Sequence, residues 1–260
     1  MSSYSQAVSL LLHLADNALI LGHRNSEWTG HGPVLEQDIA ISNIALDLVG
    51  QSRNFYQYAA EKINSENPEY KMTEDGLAYF RDAWDFKNCL LVEQTNGDWA
   101  KTILRQFLFS NHQYLLYDAL MSSKDEQIAA ISEKSLKETT YHLRWSSEWV
   151  IRLGDGTEES HDRMLNAIAD LWKFTGEFFI ATNYELAVKK NAIGIDPSAL
   201  KARWQEKLES VFTEATLPIP AQDAPMLTKA SGKTGAHTEA LGFILSEMQF
   251  LQRAYPGGMW

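Results

Sequence analysis

Four side chains in this sequence could do chemistry together: Asp16, Asp47, Glu138 and His142. Glu138 and His142 lie in SLKETTYHLRWSSEWVIR, a strongly helical stretch from Ser135 to Arg152, and share one face because residues i and i+4 are helical neighbours. Asp16 sits among Leu12, Ala15, Leu19 and Ile20, and Asp47 inside the apolar run NIALDLVG. A carboxylate in such surroundings is costly to bury unless it is paired. Helical bundles that hold two metals take single carboxylates from two helices and a Glu-x-x-His from each of the other two. Here that set has pieces missing. Thr139 stands three residues before His142, where a carboxylate is needed, and Gly50 stands three residues after Asp47, where a histidine is needed. Asp118, after YLLY, adds one further acid.

Two readings follow. In one, these groups form a metal or proton-handling centre. In the other they are buried ion pairs and hydrogen bonds, with Arg24, Arg53, Arg105 or Arg144 as partners. The missing ligands favour the second, so Asp16, Asp47, Glu138 and His142 read as the degenerate remnant of a di-metal site, with no metal ligand and no catalytic residue in the chain. Three ligands suffice for zinc, yet no spacing here selects such a set.

Two motifs mislead. Glu158-Glu159-Ser160-His161 is a formal Glu-x-x-His, but it follows a Gly-Asp-Gly-Thr turn, where acids serve the helix N-terminus. Ser231-Gly232-Lys233-Thr234 resembles the end of a phosphate-binding loop, but Leu227 stands where the motif needs glycine and upstream prolines argue against a preceding strand. Lys229, Gly232, Lys233 and Gly235 read either as a solvated surface connector or as a loop touching substrate phosphate or an acidic partner.

The elements that must position these residues are all helical; no run shows clean strand alternation. Long helices are expected at about 4–23, 33–63 (with Pro33 in its first turn), 99–121 (capped by Asp98) and 126–153, stopped by Gly154-Asp155-Gly156. Further helices are expected at about 158–184, 197–215 and 237–254. The fold class is therefore all-α: a four-helix bundle with additional C-terminal helices, in one domain over 1–260. The formal net charge of −11 argues against nucleic acid or an anionic membrane as partner. The single cysteine, Cys89, rules out an intramolecular disulfide framework and fits a cytoplasmic protein. Residues Ala7 to Leu21 are interrupted by His13, Asp16 and Asn17 and lack a basic start, so they read as a core helix, not an export signal or a membrane span.

Longer blocks carry a resemblance. LGHRNSEWTGHGPVLEQDIAISNIALDLVGQSRNFYQYAAE, LLVEQTNGDWAKTILRQF, KETTYHLRWSSEWVIRLGDGT and GAHTEALGFILSEMQFLQRAYPGGMW are similar to the C subunits of bacterial phenylacetyl-CoA ring 1,2-epoxidase complexes. The resemblance implies a ferritin-like subunit without a working metal site. It also implies a related A subunit that holds a di-iron centre and epoxidises phenylacetyl-CoA, a small bridging B subunit, and a reductase that uses NADPH with flavin and an iron–sulfur centre. The chain would carry no cofactor, pair with the A subunit with phenylacetyl-CoA near their interface, and self-associate when isolated. The alternative is a divergent metal-binding oxygenase or ferroxidase built on Asp16, Asp47, Asp118, Glu138 and His142, and a weaker one is a coenzyme A thioester-binding module acting through the Lys229–Gly235 connector.

Overall fold

A computed structural model describes residues 4–220 and 231–258. Among them are eleven α-helices, five short 3-10 turns and no strand. The fold is all-α, with the long helices a ferritin-like bundle uses. Two compact units make up the described chain: residues 4–95 with 231–258, and residues 96–220.

The first unit is built on α1 (Gln6–Ser26) and α2 (Leu35–Glu66). Ser5 caps α1, its hydroxyl accepting from the Val8 N–H. The pair is antiparallel: Gly22 lies beside Ala45 and Leu48, while Asp16 meets Tyr56. Sequence punctuation ends α1 near Gly22, but the helix continues to Ser26. A Cβ at Gly22 would lie 3.3 Å from the Ala45 carbonyl oxygen and the Leu48 Cβ, so this glycine sets close helix packing instead of a stop. Pro33 falls just outside α2, whose N-cap is Val34. After α2 come α3 (Glu74–Tyr79), an irregular stretch with a 3-10 turn at Ala83–Asp85, and α4 (Leu90–Glu93).

The second unit is built on α5 (Trp99–Leu120) and α6 (Glu126–Gly154), capped by Asp98 and Asp125. These also run antiparallel, with Trp99 edge-on to Trp145 and to Trp149 at centroid distances of 6.1 Å. Next is α7 (Glu158–Leu171), which ends well short of the expected 184. Two 3-10 turns replace the rest, because WKFTGEFF turns its aromatics inward in several directions. Phe178 stacks on His112 at 4.6 Å, and Phe179 meets Trp204 edge-on at 5.3 Å. Helix α8 (Asn183–Lys190) then restarts on a capping box of Thr182 and Glu185. Asp196 caps a 3-10 turn over Pro197–Leu200, which leads into α9 (Lys201–Glu214).

The expected last helix belongs to the first unit and is broken into α10 (Glu239–Met248) and α11 (Phe250–Ala254). The break falls at buried Gln249, whose amide turns inward to donate to the Ala78 and Arg81 carbonyls at 3.2 and 3.0 Å.

Candidate functional site

In the first unit, Asp16 is fully buried, as its apolar neighbours foretold, but its partner is Arg81, which the sequence did not nominate. Arg81 lies 65 residues away in the irregular stretch after α3. Its two terminal nitrogens hold both Asp16 oxygens, one contact at 3.1 Å. The Tyr56 hydroxyl donates to the same carboxylate, and the Lys87 N–H donates at 2.7 Å. Four donors therefore converge on a group with about four lone-pair sites. The guanidinium is equally occupied: it also donates to the Leu77 and Asp85 carbonyls and to the Tyr56 oxygen, and it lies over the Phe86 ring at 4.2 Å. Burial works against the charge of Arg81, but Asp16 beside it outweighs burial and raises the guanidinium pKa. Burial, reinforced by Asp16, pushes the Tyr56 phenol well above its ordinary value, so Tyr56 stays a donor.

A second buried carboxylate went unnoticed in the sequence. Glu93 closes α4 with no exposure. One of its oxygens accepts from His237 Nδ1 and Asn88, both at 2.8 Å. The other accepts from the Thr238 N–H at 2.7 Å and the Thr238 hydroxyl at 2.8 Å. The other ring nitrogen of His237 faces the Phe86 carbonyl at 3.0 Å. Acceptors facing both nitrogens favour the protonated ring over the neutral one. Burial opposes that charge, but the hydrogen bond and charge of Glu93 prevail, and the His237 pKa is raised. The only sequence signal was an acid directly after the apolar run LLV.

The segment between Arg81 and Glu93 is thus stitched to both ends of the unit. His13 and Asn17 of α1 bond the Lys87 carbonyl and the Cys89 N–H at 2.7 and 2.8 Å. Arg24 donates to the Glu93 and Ala240 carbonyls at 3.0 and 3.1 Å. Asp47, in contrast, is only half-buried. Its run NIALDLVG faces partly outward, with Leu46 69% and Val49 42% exposed. Gly50 is exposed beside it.

The connector turn packs inward. Gly232 lies so close to the Asn88 carbonyl that a Cβ would sit 2.3 Å from its oxygen, and Gly235, at φ 91°, lies as tightly on the Trp84 carbonyl. That approach draws Lys233 into the interior at 1% exposure, so it is not solvated. Lys229 lies outside the described residues.

In the second unit, α6 turns Ser132, Ser135, Thr139, His142 and Ser146 inward at helical spacing. Thr139 is fully buried where a carboxylate ligand would be needed, and its hydroxyl, like those of Ser132 and Ser135, has no hydrogen-bond partner among the described residues. Glu138 is half-buried. The Tyr117 phenol is raised first by burial and further by the charge of Glu138. Asp118 points outward to Arg203 at 3.1 Å. The formal Glu158-x-x-His161 lies in the first turn of α7, where Thr157 and Ser160 form a capping box and His161 bonds the Gly154 carbonyl at 2.6 Å.

Chemically, the buried acids of the first unit are neutralised and saturated by protein groups. Among the described residues, no three His, Cys, Asp or Glu side chains gather closely enough to hold a metal ion. Nor is any helix among them long and apolar enough to cross a membrane.

Comparison with known proteins agrees with the resemblance seen in the sequence. The C subunit of the 1,2-phenylacetyl-CoA epoxidase of Escherichia coli (strain K12) is 46% identical over 256 residues, covering 98% of this chain and 100% of that protein. A family model described as phenylacetic acid catabolic protein matches residues 2–260, and the chain belongs to that family.

Proposed function

We propose that this chain is a component of a phenylacetyl-CoA epoxidase, the counterpart of the Escherichia coli C subunit, and acts as the structural partner of a separate, related catalytic subunit. The observation that carries the non-catalytic part is the state of Asp16. A metal-binding carboxylate must offer a lone pair to the ion, whereas Asp16 gives its oxygens to Arg81, Tyr56 and the Lys87 N–H. Arg81 supplies permanently, from within the chain, the positive charge an ion would otherwise bring. Thr139 supports the same reading, since a hydroxyl replaces a carboxylate on the inward face of α6.

In this reading Asp16, Asp47, Glu138 and His142 mark positions from which a metal site has been lost. The di-iron centre that activates oxygen belongs to the catalytic A subunit, with phenylacetyl-CoA near the interface. A small B subunit bridges the pairs, and a reductase with flavin and an iron–sulfur centre draws electrons from NADPH. The assembly works in the cytoplasm, where buried Cys89 stays a thiol.

The test is co-expression with the catalytic subunit encoded for the same complex. The expected result is a stable hetero-oligomer in which epoxidation of phenylacetyl-CoA requires both chains. His142→Gln in this chain should leave kcat and the iron content of the complex unchanged. Failure to form a complex, or a loss of iron from an assembled His142→Gln complex, would overturn the proposal.

A further inference from the structure

Where α7 gives way to 3-10 turns, the second unit leaves a cavity of about 350 Å³ against the start of α9. Trp172 and Phe179 of the turns and Trp204 of α9 wall it, and Gly176 adds only backbone. These walls are held in place. Trp204 is buried, its indole N–H donates to the Leu108 carbonyl at 3.1 Å, and its own carbonyl accepts from Asn111 at 2.9 Å. Phe179 meets it edge-on at 5.3 Å, and Trp172 lies tilted by 34° at 6.0 Å. The Thr175 hydroxyl closes the turn on the Trp172 carbonyl at 2.8 Å. Trp172 and Phe179 nevertheless stay only half-buried. Walls fixed in advance spare a ligand the entropy of ordering them.

The lining carries one charge. Among the described residues that line the cavity, Lys201 alone is ionised; it lies half-buried in the first turn of α9, with Gln205 one turn further on the same face. The nearby acid Asp196 does not line the cavity, and its carboxylate is taken by Lys189 at 2.9 Å and by the Ser198 hydroxyl at 2.6 Å. Aromatic walls with a few polar groups are the common make-up of small-ligand sites, whose volumes run from about 300 to 1,000 Å³. At the small end of that range, this cavity has room for one ring and a short arm.

Aromatic faces alone would also suit a cation, but Lys201 repels one. We propose that this cavity binds a small aromatic carboxylate, its ring packed on Trp172 and Phe179 and its carboxylate on Lys201 and Gln205. Offset or edge-to-face aromatic pairs gain more than simple area burial. A hydrogen bond from an ammonium to a carboxylate is about twice as strong as a neutral one. A saturated ring forfeits the first gain, and an uncharged amide forfeits the second.

The experiment is a ligand-observed NMR titration of the full-length chain with phenylacetate, cyclohexylacetate and phenylacetamide. Phenylacetate should bind saturably at one site per chain. Cyclohexylacetate should bind about two- to tenfold more weakly, and phenylacetamide about tenfold or more. Lys201→Gln changes a half-buried position, so it should melt with the wild type yet lose about tenfold or more in phenylacetate affinity. Absence of saturable phenylacetate binding would overturn the proposal. So would equal affinity for the saturated acid, or unchanged affinity in Lys201→Gln, which would place the anion elsewhere. The proposed partner role is tested separately by co-expression and stands or falls independently of this site.

Discussion

Arg81→Met isolates what the buried ion pair does. The substitution keeps an apolar stem over Phe86 but removes every donor that Arg81 gives to Asp16, Leu77, Asp85 and Tyr56. Asp16 has no exposure, so its charge cannot turn to water when its partner goes. Breaking a buried pair from one side costs about 3–5 kcal/mol, much more than the net value of an intact pair. For a chain of this size each kcal/mol shifts the melting point by about 2–4 °C, so the variant should melt about 6–20 °C lower. Asp16→Asn/Arg81→Met should recover a large part of that loss. The asparagine is uncharged, and its carbonyl still accepts from the Tyr56 hydroxyl or the Lys87 N–H. The assay is urea or thermal unfolding of all four members of the cycle. A loss under about 1 kcal/mol for Arg81→Met, or additivity within about 0.5 kcal/mol, would refute the reasoning.

Three further outcomes follow from the same geometry. Because the folded-state pKa of His237 is raised, its contribution to stability is fully present below its unfolded value of 6.5 and is lost as pH rises through the folded value. Wild type should therefore lose stability relative to His237→Gln across that window, and parallel unfolding curves at low and high pH would contradict the imidazolium assignment. Gly232→Ala should destabilise the first unit by about 1–3 kcal/mol, because its Cβ would collide with backbone that cannot yield; near-wild-type chemical denaturation would show the turn to be loosely held. Thr157→Ala should cost about 1 kcal/mol through loss of the α7 cap, while His161→Gln should leave metal content untouched, as measured by elemental analysis.

What was legible in the sequence was local. The long helices carry their own start signals, such as Asp98 and Asp125, and periodic burial continues between them. Asp16 announced itself as an acid needing a partner because apolar residues surround it within one helix. The partner did not announce itself, since Arg81 sits in an irregular stretch with no periodicity to give its direction. Glu93 and His237 are 144 residues apart and meet only through tertiary packing. The overlong helix expected at 158–184 has a similar origin: the aromatics of WKFTGEFF sustain an apolar pattern, but their packing on His112 and Trp204 needs turns that a helix cannot supply. Thr182-x-x-Glu185 was the readable sign of a new start. For Asp47 the apolar run implied burial, although Leu46, Val49 and Gly50 of that run are exposed.

The most direct test of the central claim is the iron content of the purified chain after anaerobic loading with ferrous ion and removal of excess. With Asp16 saturated by Arg81, Tyr56 and Lys87, and Thr139 in place of a carboxylate, the chain should retain essentially no iron, while the catalytic subunit handled in parallel does. About two irons per chain, the occupancy of a complete bundle site, released by His142→Ala, would contradict the account and make this chain an oxidase in its own right.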